Sequence, residues 1–321
     1  MTAQKITDRD STTNLSSAVW SEKDVPDQTG RTFIITGATS GIGYETGVVL
    51  AERGANVILA CRNVEKANEA TKKIFALTQN KNVSVEKLDL SSLKSVRECA
   101  EIIQSKYNKI DVLINNAGVM VPPYQLTEDG FELQFGTNHL GHFLFTGLLL
   151  DKFLDNPDSR IVTISSTAHM RGVINFDDLQ SKREYKASIA YAQSKIANLL
   201  FTYELQRRFE KANAKTIAVA AHPGWSRTEL AKHALTKSWV RVAFAIFEPM
   251  LSQDQRAGAH PMLRAATEVG VQGGEYYGPS GFIGSKGDAI KVTSNARSHE
   301  ESTQQRLWQV SEELTGFKYA I

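Results

Sequence analysis

Short apolar runs alternate with longer amphipathic stretches from residue 32 to residue 221. Thr32-Phe33-Ile34-Ile35, Asn56–Ala60, Val83–Leu88, Asp111–Asn115, Arg160–Ser165 and Thr216–Ala221 read as strands. Most are nearly continuous in Val, Ile, Leu and Ala, as burial on both faces of a sheet requires. Between them, Tyr44–Arg53, Val64–Thr78, Ser91–Lys106, Thr127–Phe153 and Ser188–Glu210 have helical character, with Ser91 at an N-cap. Strand and helix in alternation imply right-handed βαβ units and a parallel sheet. The expected architecture is α/β: one doubly wound parallel sheet of about seven strands with helices on both faces. Gly281-Phe282-Ile283 is the expected last strand.

The first strand runs into Thr36-Gly37-Ala38-Thr39-Ser40-Gly41-Ile42-Gly43, and a helix follows. Three glycines suit a turn in which the backbone takes unusual dihedrals and a ligand approaches Cα closely. A helix starting there aims free N–H groups and its positive dipole end outward, which favours a phosphate. The spacing is Gly-x-x-x-Gly-x-Gly, and a glycine loop without a ligand is the plainer reading. The other strand ends decide against it, because ligands of such sheets sit at the carboxyl ends of strands.

Cys61-Arg62-Asn63 ends the second strand, where an acidic residue would bind a ribose 2′-hydroxyl and an arginine a 2′-phosphate. Arg62 therefore favours NADP(H) over NAD(H), against the alternative of a solvated surface arginine. Asp89-Leu90 follows the third strand; that carboxylate suits an adenine amino group, or simply a helix N-terminus. Asn115-Asn116-Ala117-Gly118 follows the fourth, with small residues against a cofactor and an amide able to hold neighbouring strands.

Tyr191-Ala192-Gln193-Ser194-Lys195 lies on the long fifth helix. Positions i and i+4 share a face, so phenol and ammonium can meet. A nearby cation favours the phenolate and brings a tyrosine closer to working pH. Such a pair is often only a surface pair. Here it follows Ser165-Ser166 at the end of the fifth strand, whose hydroxyl can hydrogen-bond a carbonyl.

Composition narrows the remaining classes. The chain has 321 residues, 41% hydrophobic and 22% charged, with a formal net charge of +2. Nothing in that balance points to nucleic acid or an anionic membrane. Cys61 and Cys99 make neither a disulfide framework nor a metal cluster, and a reducing cytoplasm suits them. No apolar run reaches membrane-spanning length. Residues 1–29 read as a mobile polar extension, with Trp20 and Val25-Pro26 able to tack its end onto a domain spanning 30–321. His139 and His142 are spaced for a metal pair but lack a third ligand, so packing or hydrogen-bonded histidines are favoured. Residues 229–253 carry Trp239, Phe244, Phe247 and Met250 at helical spacing, as a core helix or a lid over an apolar cleft would.

The glycine turn, Asn115–Gly118, Ser166, Tyr191 with Lys195, and Pro223-Gly224 together resemble the short-chain dehydrogenase/reductase family over about residues 30–230. Ala60–Asn63, Asn138–Phe143, Ser194–Asn198, His222–Gly224 and Gly273–Pro279 resemble its retinol dehydrogenase and WW-domain oxidoreductase branch and bacterial relatives. The resemblance implies a Rossmann fold and a set of roles. Tyr191 would be the general acid/base, and Lys195 would tune it and bind the nicotinamide ribose. Ser166 would polarise the carbonyl, and Asn138 would hold a water linked to Lys195. Gly37, Thr39, Ser40, Gly41, Ile42, Gly43, Arg62, Asn63, Asp89, Leu90, Asn116, Ala117 and Gly118 would line the cofactor. Pro223, Gly224 and Thr228 would meet its nicotinamide end. The implied reaction interconverts carbonyl and alcohol on a bulky lipophilic molecule, retinal-, steroid- or long-aldehyde-like. Family members often pair through the helices corresponding to Thr127–Phe153 and Ser188–Glu210, which implies a homodimer unless the C-terminal segment blocks it. Three alternatives stay open: a light-dependent protochlorophyllide reductase-like enzyme, an NADP(H)-sensing scaffold without catalysis, and a broad-range detoxifying reductase. Trp225 stands where the first would carry a cysteine.

Overall fold

The computed structural model describes residues 19–154, 156–224, 254–281 and 284–321. Its strands are β1 (Thr32–Thr36), β2 (Asn56–Cys61), β3 (Val83–Lys87), β4 (Val112–Asn115), β5 (Arg160–Ile164), β6 (Ile217–Ala221), β7 (Tyr276–Pro279) and β8 (Ala289–Lys291). They form one sheet in the order β3-β2-β1-β4-β5-β6-β7-β8. All neighbours are parallel except β7 and β8. The order reverses between β1 and β4, which opens a crevice at their carboxyl ends.

The principal helices are α1 (Gly41–Glu52), α2 (Val64–Thr78), α3 (Leu93–Lys106), α4 (Gly141–Leu148), α5 (Ala187–Lys211), α6 (His260–Thr267) and α7 (Glu301–Thr315). All strands but the edge strands β3 and β8 are buried almost throughout, so apolar layers lie on both sheet faces. One layer joins α1, α2 and α6 through Val48, Leu50, Ile74 and Leu263. The other joins α3, α4, α5 and α7 through Ile103, Phe143, Phe201 and Trp308.

Four expectations change. Among the described residues the sheet has eight strands rather than about seven. Its last members are β7 and an antiparallel β8, whereas Gly281 lies in a bend and 282–283 fall outside the described residues. Ser92, not Ser91, caps α3 by accepting from the Ser95 N–H, because the Ser91 hydroxyl is spent on Asp89 at 2.6 Å. Thr127–Phe153 is not one helix. Gly130 turns the chain at φ +82°, and Glu132 caps a new start by accepting from Gln134 and Phe135 N–H at 2.9 and 2.7 Å. A π turn over Gly136–Leu140 then leads into α4.

At the N-terminal side, Trp20 and Val25 are buried in the first layer. Arg53 donates to the Glu22 and Lys23 carbonyls, both at 3.0 Å, so packed chain extends back before residue 30. The expected lid at 229–253 lies outside the described residues, as does Thr228.

Candidate active site

The glycine turn is shaped by close packing. Gly37 takes φ +69° and Gly41 φ +64°, conformations that a side chain would strain. A Cβ on Gly43 would fall 2.5 Å from Asn116 Nδ2. With glycine there, the Asn116 amide reaches the Thr36 carbonyl at 2.8 Å and the Gly37 carbonyl at 3.4 Å. The asparagine after β4 thus pins the turn after β1, as a strand-holding amide should.

Gly37, Thr39, Ser40, Gly41, Ile42, Gly43, Arg62, Asn63, Asp89, Leu90, Asn116, Ala117 and Gly118 line one cavity of about 340 Å³. Lys66, Val119 and Thr137 line it too, and sequence reading did not single them out. Lys66 lies in the first turn of α2, which follows Arg62 directly. Two lining residues are engaged locally. Asn63 caps α2 by accepting from the Lys66 N–H at 2.7 Å, and Asp89 accepts from Ser91 N–H at 2.9 Å. The Thr137 hydroxyl is buried without a partner on the wall of this cavity. A cleft with a helix N-terminus, cations at Arg62 and Lys66 and an unspent hydroxyl fits a phosphate-bearing dinucleotide.

A second cluster adjoins the cavity at Gly118, whose added Cβ would lie 3.0 Å from Asn138 Oδ1 and 3.7 Å from Lys195 Nζ. Ser166 caps a short 3₁₀ turn at the end of β5, accepting from the Ala168 N–H at 3.2 Å, and its hydroxyl is near enough to the Tyr191 phenol to favour the ionised form. The long α5 carries Tyr191 and Lys195. Burial pushes the Tyr191 phenol up to about 12, against the downward pull of Ser166. Lys195 Nζ lies 5.7 Å from the phenol ring centroid and donates to the Ile164 carbonyl at 3.1 Å. Burial drops that ammonium to about 8. In the protein alone the phenol is therefore raised rather than lowered, with burial the largest cause. Asn138 donates to the Val119 carbonyl at 3.0 Å and to Ser194 Oγ at 2.9 Å; Ser194 in turn donates to the Tyr191 carbonyl at 2.8 Å.

Gly224 takes φ +67° beside Ser285, and a Cβ there would lie 2.4 Å from the Ser285 carbonyl oxygen. Pro223 precedes it at the end of β6. Neither lines the cavity described above. His139 pairs with Ser311 at 2.9 Å, and among the described residues no three His, Cys, Asp or Glu side chains group as metal ligands.

The short chain dehydrogenase family model matches residues 31–239. The chain belongs to the short-chain dehydrogenase family. It is 43% identical to human retinol dehydrogenase 13 over 295 residues, covering 90% of this chain and 86% of that protein. Human retinol dehydrogenase 11 is 42% identical over 287 residues, with 89% and 86% covered. An uncharacterized protein from Mycobacterium paratuberculosis has a crystal structure that is 40% identical, with TM-score 0.79 over 94% of this chain and all of that one. The chain is accordingly an oxidoreductase acting on alcohol and carbonyl groups with a nicotinamide cofactor. In this short-chain dehydrogenase the Lys195 ammonium and the Asn138 amide pack beside Gly118, which lines the glycine-turn cavity.

Proposed function

We propose that the protein is an NADP(H)-dependent oxidoreductase that interconverts carbonyl and alcohol on a bulky lipophilic substrate. The observation that carries the cofactor choice is the wall after β2. Arg62 and Lys66 both face the cavity there, and no carboxylate ends the strand to bind a 2′-hydroxyl. Two cations around a 2′-phosphate favour NADP(H) by charge-assisted hydrogen bonds. The substrate class is supported by similarity to retinol dehydrogenases and by surface chemistry near the site. Met170 and Val173, just past Ser166, and Ile189, just before Tyr191, are all more than half exposed.

The glycine turn, Arg62 and Lys66 would hold a dinucleotide in the crevice, whose nicotinamide would supply or accept the hydride. The chain does the rest. Ser166 donates a hydrogen bond to the substrate oxygen, and Tyr191, protonated in its resting state, delivers the proton during reduction. Lys195 places a cation where negative charge develops on the phenol. In the oxidative direction Tyr191 must first lose its proton, and Lys195 and Ser166 stabilise the phenolate. Asn138 braces Ser194 and hence the backbone of Tyr191.

Arg62→Asp tests the cofactor assignment. Losing a charge-assisted contact and adding a carboxylate should raise the Michaelis constant for NADPH by about 10- to 100-fold. An unchanged constant would refute the phosphate role. A substrate panel of retinal, steroids, long aldehydes and simple ketones tests the rest, and reaction with small polar carbonyls alone would rule out the lipophilic class.

A further inference from the structure

His142 has no place in the catalytic set, yet it is 1% exposed and fully hydrogen-bonded between the two halves of the site. Its Nδ1 lies 3.0 Å from the backbone carbonyl of Asn138. A carbonyl only accepts, so Nδ1 carries the proton, and in the neutral ring Nε2 is the acceptor. Nε2 lies 2.8 Å from Thr36 Oγ1, which makes the threonine the donor in that bond. The other acceptor near that hydroxyl, the Ile114 carbonyl, is at 3.4 Å and makes the weaker contact. Thr36 Oγ1 in turn accepts the N–H groups of Asn116 and Ala117, both at 2.9 Å.

A single directed chain results. The turn after β4 donates to Thr36 at the end of β1, Thr36 donates to His142 on α4, and His142 donates to Asn138 in the π turn. The Asn116 N–H is shared with the Ile114 carbonyl at 3.0 Å, whereas the Ala117 N–H is given to Thr36. Asn138 continues the line through Ser194 to the backbone of Tyr191. At the other end, Ala117 fixes the glycine turn sterically, since a Cβ on Gly37 would lie 2.8 Å from its own Cβ.

We propose that His142 is a positioning residue for the nicotinamide cofactor, locking Thr36 and the Asn116–Ala117 wall of the cavity against Asn138. The inference rests on the reading that this cavity holds the dinucleotide. Severing the chain at Thr36 leaves the part-buried Ala117 N–H to find a new acceptor and the Asn116 N–H with the Ile114 carbonyl, and the wall relaxes out of the shape that receives the cofactor.

The test is NADPH binding, followed by the fluorescence of the bound nucleotide, on the folded protein. Thr36→Val removes the hydroxyl at nearly constant volume, and Thr36→Ser keeps it. His142→Phe removes both ring contacts, and His142→Gln retains one donor and one acceptor. Thr36→Val and His142→Phe should each raise the NADPH Kd by about tenfold, and their combination should be no worse than either alone. Thr36→Ser should stay within about twofold of the parent, and His142→Gln should recover most of the loss. A purely structural defect would lower the active fraction without moving Kd. Multiplying effects in the double variant, or an unchanged Kd in Thr36→Val, would overturn the proposal. If His142→Phe does not fold, the contrast between Thr36→Val and Thr36→Ser decides the matter. A parent enzyme that binds only NADH would sink the phosphate reading instead, and the same variants titrated with NADH then decide the role of His142.

Discussion

At the scale of single residues, the chemistry turns on how one phenol and one ammonium are solvated. Tyr191 rests near 12 because burial opposes the phenolate, and Lys195 rests near 8 because burial opposes the ammonium. A protonated phenol is the form that delivers a proton, so carbonyl reduction should hold at neutral pH. It should decline as pH rises through about 8, where Lys195 loses its charge and no longer steadies the developing phenolate. A reductive kcat profile that stays flat to pH 10 would contradict this. Tyr191→Phe removes the proton donor but no cavity wall. Reduction should fall by roughly 10²- to 10⁴-fold while NADPH affinity stays within a few-fold, as stopped-flow and fluorescence titration would show. Spacing placed the tyrosine and lysine on one face of a helix and the serine at the end of a buried strand, and the roles came from the family resemblance. Neither supplied the order of their pKa values, because desolvation depends on what packs around them.

At the scale of elements, α7 and the chain after it cover the face formed by α4 and α5. Trp308 stacks on Phe201 with ring centroids 5.8 Å apart, and the Arg208 guanidinium lies 4.2 Å from the Trp308 ring. Tyr319 donates to the Phe143 carbonyl at 2.6 Å, and Phe317 and Tyr319 fill the space that Gly147 leaves. Pairing of two copies through α4 and α5 would have to displace this aromatic cover. The expected state is a monomer in multi-angle light scattering. Trp308→Ala should cost about 3–5 kcal/mol in urea unfolding and expose enough aromatic surface to promote self-association. A parent dimer whose mass is indifferent to that substitution would refute the arrangement. The helix Thr127–Phe153 shows what periodicity misses. Its apolar positions recur plausibly throughout, yet the Glu132 carboxylate and the π turn that carries Asn138 divide it. Neither leaves a mark on a hydrophobic pattern.

At the scale of the whole molecule, burial holds several interior histidines neutral, three of them far below their ordinary value. Burial lowers His139 to about 3, His142 to about 4 and His222 to about 3, from an ordinary 6.5. The unfolded chain takes up protons below about 6.5, whereas the folded one resists until about 4 or 3. Stability should therefore fall as pH drops through that window, by up to about 1.4 kcal/mol per pH unit for each group, and level off below it. Urea midpoints at pH 7, 6 and 5 would check the sign; a midpoint that rises toward acid would refute it.

The linear order of residues decided the alternation of strand and helix, the glycine turn and the strand-end positions of Arg62, Asn116 and Ser166. These follow from local rules of period, turn chemistry and burial that act within a few residues. Tertiary structure alone decided that Lys66 and Thr137 join the cavity, that β8 closes the sheet antiparallel, and that His142 ties Thr36 to Asn138. Those contacts join residues far apart in sequence, and their energies depend on dense packing that excludes water, which no local pattern encodes.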